Sequence, residues 1–114
     1  MMFGRRDKQP ALLTFERVLV PMAGTDADEA ALRLTAMMLT GTSGVAFLLH
    51  VIEVPFERQL DAQDPAAVAF ADEVLGRGEA FLEQHGVQVK AGISQARVAG
   101  AAIVDDAVAQ KADL

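Results

Sequence analysis

A chain of 114 residues has the size of one domain. It is 52% hydrophobic, enough for a core, and its formal charge of −6 argues against general nucleic-acid binding. The lack of cysteine excludes disulfides, thiolate metal sites and thiol nucleophiles, and without Trp or Tyr only Phe and His could stack on bases.

Residues 1–14 read as a flexible lead-in. Its basic cluster, Arg5, Arg6 and Lys8, is too small for strong attraction to lipid and reads as a solvated tail. Met1 to Pro10 is charged and polar with no apolar stretch behind it, so no secretory signal is expected. No apolar run is long enough to span a bilayer. Direct membrane insertion is therefore not expected, and the expected compartment is the cytoplasm.

The first strand is predicted from about Phe15 to Pro21. A turn of small residues follows, and Thr25 is the expected N-cap of the first helix, with Asp28 in a capping-box position. Ala27, Ala30, Ala31, Leu34, Met37 and Met38 recur at helical spacing and should lie on the sheet. Gly41-Thr42-Ser43-Gly44 has no following Lys-Ser/Thr and precedes a strand, so it reads as a helix-to-strand turn rather than a phosphate cradle. The second strand, about Val45 to Val54, is nearly all apolar, as expected of a strand covered on both faces.

Pro55 to Gln63 is a polar connection, and Asp64-Pro65 supplies an N-cap with Pro at the first helical position. Val68, Ala71, Val74, Leu75, Phe81 and Leu82 carry the helical period to His85-Gly86. Gly76 and Gly78 each weaken this helix by about 1 kcal/mol relative to Ala. They permit a bend or close packing, and the sequence leaves that choice open. A third strand is predicted over Val87 to Ile93. A third helix follows from about Ala96 to Lys111, packing through Ile103, Val104, Ala107 and Val108.

Ala112-Asp113-Leu114 reads as the opening of a fourth strand beside the first, which would complete the last crossover. The domain, residues 15–114, is accordingly expected to be truncated after the third helix. The first-strand edge around Val18-Leu19-Val20 and the helix near Ile103 and Val108 are then expected to be covered by a second copy or a longer parent chain. The fold class is α/β: an open parallel sheet with helices on both faces and a ligand crevice at the carboxyl ends of its strands.

No catalytic or metal constellation stands out. His50 lies in an apolar strand and reads as a hydrogen-bonded structural histidine, while His85 suits a helix C-terminus. Ser43 and Ser94 lack a nucleophile-elbow context. The pairs Asp28-Glu29, Asp72-Glu73 and Asp105-Asp106 read as solvated helix faces. Neither a dinucleotide fingerprint nor a P-loop is present. An enzyme is not expected.

Three segments carry a resemblance. Val18-Leu19-Val20-Pro21-Met22-Ala23-Gly24 followed by Leu48-Leu49-His50-Val51 resembles the start of a universal stress protein domain. That family typically opens on I/V-L-V-P-x-D-G-S and continues through L-L-H-V. The third-helix entry, Ala96 to Val104, resembles the family's G-x-P-a-x-x-I pattern, with Arg97 and Ala99 where Gly and Pro are common. The resemblance covers residues 15–114 and implies a Rossmann-like fold of the adenine nucleotide alpha hydrolase type.

In the family's nucleotide-binding branch the loop after the first strand contacts adenosine, and the residue after the second-strand His contributes backbone contacts near the base. The resemblance therefore maps cofactor contacts onto Pro21, Met22, Ala23, Gly24 and Val51. Ala23 stands where the family usually has Asp, and losing such a polar contact costs about 1–3 kcal/mol. The family's glycine-rich phosphate stretch, G-x-x-G and then G-S/T, would fall beyond Leu114. Asp26, Asp28 and Glu29 already place negative charge at the first helix N-terminus.

The resemblance thus implies a cytoplasmic stress-response or regulatory module acting by binding and self-association. No cofactor is required, and ATP or another adenine nucleotide is expected to bind weakly or not at all. One alternative is an adenine-nucleotide-binding universal stress protein whose phosphate loop lies beyond this chain. Another is a regulatory domain of a membrane transporter.

Overall fold

A computed structural model describes residues 16–114. The lead-in with Arg5, Arg6 and Lys8, and the predicted strand start at Phe15, lie outside the described residues. Three strands, β1 (Arg17–Pro21), β2 (Val45–Glu53) and β3 (Gln88–Ala96), alternate with α1 (Ala27–Leu39), α2 (Pro65–Gln84) and α3 (Ala99–Ala109). They form one parallel sheet of order β1-β2-β3, with Val18 opposite Ala46 and Ala46 opposite Val89.

Each step from β1 to β2 to β3 moves the same way across the sheet. Right-handed crossovers therefore place α1 and α2 on one face. That face holds the core: Val18 and Val20 from β1 and Met22 just after it, Ala46 and Leu48 from β2, Leu32, Ala36 and Leu39 from α1, and Val74, Leu75 and Leu82 from α2. The alternating strand register sends Phe47 and Leu49 to the other face, where they are also buried. This is the two-sided burial expected of an apolar parallel strand. Arg17 lies over the Phe47 ring, 4.8 Å from its centroid.

Helix α3 runs back across that second face and returns the chain to β1. Asp113 N–H donates to the Arg17 carbonyl at 2.8 Å, and Leu19 N–H donates to the Leu114 carbonyl at 2.9 Å. Arg17 and Leu19 are the β1 residues whose backbone groups point away from β2. Residues 113 and 114 thus lie beside β1, where the sequence reading placed the opening of a fourth strand, and bond it at Arg17 and Leu19. The Asp113 carboxylate also accepts from Glu16 and Arg17 N–H at 3.0 and 3.2 Å.

Several boundaries differ from the sequence reading. Thr25 is not the cap of α1; Asp26 is, and it makes no side-chain capping bond. Strand β3 continues to Ala96 because its backbone keeps pairing with β2 through Glu53, and α3 is correspondingly shorter, Ala99–Ala109. Within α3, Ile103 and Ala107 are half-buried, but Val104 and Val108 are exposed rather than packed. Only the stripe through Ala102, Ile103, Asp106 and Ala107 turns inward.

Helix α2 follows its signals closely. The Asp64 carboxylate accepts from Ala66 N–H at 3.0 Å, with Pro65 at the first position. At its end Val87 N–H reaches the Leu82 carbonyl and Gly86 N–H reaches that of Glu83, each at 3.0 Å. Gly86 has φ +75°, completing a Schellman motif with Val87 packed into the same core as Leu82. The question of Gly78 is settled as well: a Cβ there would lie 2.8 Å from Leu48 Cδ1, whereas Gly76 faces open space.

Candidate functional site

The parallel sheet directs all three strand ends to one edge, and a crevice opens there between β1, β2 and the start of α3. Its cavity of about 340 Å³ is lined by Pro21, Met22, Ala23, Leu49, His50, Val51, Glu53, Ala99 and Ile103. Of the residues mapped by resemblance, Pro21, Met22, Ala23 and Val51 meet at this cavity. Gly24 does not line it. It turns at φ +83° against the Phe70 and Val74 side chains, where a Cβ would collide with the Phe70 ring.

The loop after β1 is held from two sides. His50 Nδ1 lies 2.7 Å from the Met22 carbonyl oxygen, which can only accept, so Nδ1 carries the hydrogen. The imidazole is buried and meets the Phe70 ring edge-on, with centroids 5.8 Å apart. One ring nitrogen is thus bonded within the fold, as the sequence reading expected of a histidine in an apolar strand. From the other side Asp28 reaches back along the loop, its carboxylate accepting from Ala23 N–H at 3.0 Å and Gly24 N–H at 2.7 Å. Asp28 therefore serves the turn instead of pairing with a Thr25 cap.

The far wall has the same chemistry. Glu53, the last residue of β2, accepts from Ala99 N–H at 2.8 Å. It fills the N-terminus of α3, where side-chain capping by Val98 is absent. The Ala23 and Ala99 N–H groups of the crevice lining, and the Gly24 N–H next to it, are thus bonded to the chain's own carboxylates. Sequence reasoning did not single out Glu53. Its signal was positional: a carboxylate ending an apolar strand, at the sheet edge where loops and helix starts converge.

Above the crevice the β2–α2 connection is pinned by β3. Gln95 Nε2 donates to the Leu60 and Ala62 carbonyls, each at 2.8 Å. Arg97 donates to the Pro55 carbonyl and lies 5.5 Å from the Phe56 ring centroid. Among the described residues, no group of three or more His, Asp or Glu side chains is placed to hold a metal ion. No helix among them is long and apolar enough to cross a membrane.

No protein-family model and no curated protein matches the sequence. Solved structures do match the fold. The hypothetical protein MJ0577 aligns with a TM-score of 0.74 and 23% identity, over 88% of this chain and 72% of its own. The universal stress protein from Archaeoglobus fulgidus aligns with a TM-score of 0.70 and 16% identity, over 87% and 71%. A protein of the universal stress protein family from Burkholderia pseudomallei aligns with a TM-score of 0.64 and 17% identity, over 85% and 76%. The fold is that of universal stress protein structures, an open parallel α/β sheet. At these identities the likeness is one of fold.

Proposed function

We propose that this chain is a universal stress protein-like regulatory module that acts in the cytoplasm by binding and self-association, without catalysis. The observation that carries the reading is the state of the crevice donors. Asp28 occupies the Ala23 and Gly24 N–H groups, and Glu53 occupies that of Ala99. A phosphate entering here would have to displace a carboxylate already bonded and would lie against its negative charge. Ala23 offers no side-chain acceptor to a ribose or base. This arrangement supports a module in which a nucleoside triphosphate is not the working ligand.

A second reading, an adenine-nucleotide-binding universal stress protein, draws on the 340 Å³ cavity that Pro21, Met22, Ala23 and Val51 share. Isothermal titration with Mg-ATP separates the two. The first reading expects no binding tighter than high micromolar, about −6 kcal/mol or weaker. A submicromolar dissociation constant overturns it in favour of the second.

A further inference from the structure

Helix α3 is apolar on its outer face as well as its inner one. Apart from Asp105 and Asp106, every residue from Ala99 to Ala109 is Ala, Gly, Ile or Val. Ile103 and Ala107 turn toward the sheet, while Val104 and Val108 stand 62% and 74% exposed, one turn apart on the outside. A helix that is apolar all round is normally covered all round.

The two aspartates bound this outer face on one side. Asp105 is exposed beside it, and Asp106 is half-buried below. Both line an open cleft of about 500 Å³ between α3 and the end of β3. Asp106 also lines a second cleft of about 430 Å³, shared with Lys90 and Gln110. Among the described residues neither carboxylate is in an ion pair. The cations that line these clefts do not neutralise them. Arg97 is turned to the Pro55 carbonyl and the Phe56 ring, and Lys90 does not pair with Asp106.

We propose that the occupant of this surface is the chain's own first 15 residues, folded back over α3. Leu12 and Leu13 cover the Val108 end of the apolar face, and Arg5, Arg6 and Lys8 pair with Asp105 and Asp106. The point of attachment carries much of the argument. The segment leads into Glu16, whose N–H is held by the Asp113 carboxylate, and the next residue, Arg17, donates from Nε to the Gln110 carbonyl. It therefore joins the fold beside the last turn of α3. From Gln110 to Asp105 the helix rises only about 7.5 Å. The stretch from Lys8 to Glu16 reaches up to about 26 Å when extended, so the basic residues arrive with slack.

Charge and order select the same occupant. The formal charge of the chain is −6, yet Arg5, Arg6 and Lys8 stand together in this segment, and α3 offers two acids and no base. Leu12 and Leu13 lie nearer to Glu16 than the basic residues do, just as Val108 lies nearer to Gln110 than the aspartates do. The two clefts give the long Arg and Lys stems room beside the carboxylates. A covalent tether presents the segment at about millimolar effective concentration, so exposed ion pairs that are weak singly suffice together. The basic cluster then has a partner in the fold instead of standing as a solvated tail.

Nuclear Overhauser contacts in the full-length chain test this directly. Methyl groups of Leu12 or Leu13 should show contacts to those of Val108 or Val104, and dilution should leave the contacts unchanged. Arg5→Glu/Arg6→Glu/Lys8→Glu should abolish them. At low salt, trypsin should cut after Arg5, Arg6 and Lys8 about threefold or more slowly in the wild type than in Asp105→Asn/Asp106→Asn. Salt at about 0.5 M should remove that difference. The wild-type contacts decide even where a variant fails to fold. Their absence, or equal cleavage in a folded Asp105→Asn/Asp106→Asn chain, overturns the docking. Contacts that arise only between differently labelled copies overturn it as well and make a second copy the occupant of α3.

Discussion

The Nδ1 of His50 stands 2.7 Å from the carbonyl oxygen of Met22, so one buried side chain on β2 fixes the loop that leaves β1. The loop lines the crevice, and its shape is therefore set from the neighbouring strand as much as by its own residues. Met22 is itself buried, and His50 Nδ1 is the partner its carbonyl would lose.

His50→Leu should consequently cost about 1–3 kcal/mol, the penalty of stranding a buried acceptor. Urea denaturation monitored by circular dichroism measures it. A loss under about 0.5 kcal/mol would mean that the Met22 carbonyl finds another donor.

Asp28 and Thr25 make a second comparison. Asp28→Ala removes acceptors from both Ala23 and Gly24 N–H and should cost about 1–2 kcal/mol, in the range of losing a helix cap. Thr25→Ala should change stability by no more than about 0.5 kcal/mol, as for a surface substitution, because Asp26 is the cap residue. Equal effects in the two variants would restore Thr25 as the cap.

The glycines of α2 separate propensity from packing. Gly76→Ala meets no atom within 4 Å and should stabilise by about 1 kcal/mol. Gly78→Ala gains the same helix propensity but drives Cβ to 2.8 Å from Leu48 Cδ1 and 3.0 Å from Met22 Cε. It should fall short of Gly76→Ala by about 1 kcal/mol or more, the cost of overpacking. Thermal unfolding of the two variants side by side reads the difference.

Lys111 has φ +55° at the end of α3, where Lys111 N–H reaches the Val108 carbonyl and Ala112 N–H that of Ala107. This is the Schellman position that Gly86 fills after α2. Lys111→Gly should stabilise the protein by about 0.5–1 kcal/mol through relief of left-handed strain. A destabilisation would show that the αL conformation is not what limits this turn.

Where a single residue type dictates backbone geometry or burial, the sequence was informative. Val45 to Glu53 could hardly be other than a doubly covered strand, and Asp64-Pro65 and His85-Gly86 marked both ends of α2. Signals that depend on which neighbour arrives were opaque. Asp28 has the spacing of a capping-box partner to Thr25 yet bonds the Ala23 and Gly24 amides, because the loop folds back over it. Val104 and Val108 fit an apolar helical stripe, but exposure depends on where α3 crosses the sheet. At the crevice, Pro21, Met22, Ala23 and Val51 converge as a parallel sheet requires. The Glu53 contact with Ala99, 46 residues apart in sequence, exists only once β2 and α3 have met.

The return of α3 to β1 also bears on how the chain folds. Asp113 bonds the Glu16 amide across a separation of 97 residues, so this contact closes only after almost everything between them is in place. Helix α3 contains no buried residue to anchor it independently. The α3 segment and residues 112–114 should therefore behave as one late-forming, early-opening cooperative unit, released from the sheet well before the β1–β2 pair and its two helices lose their structure.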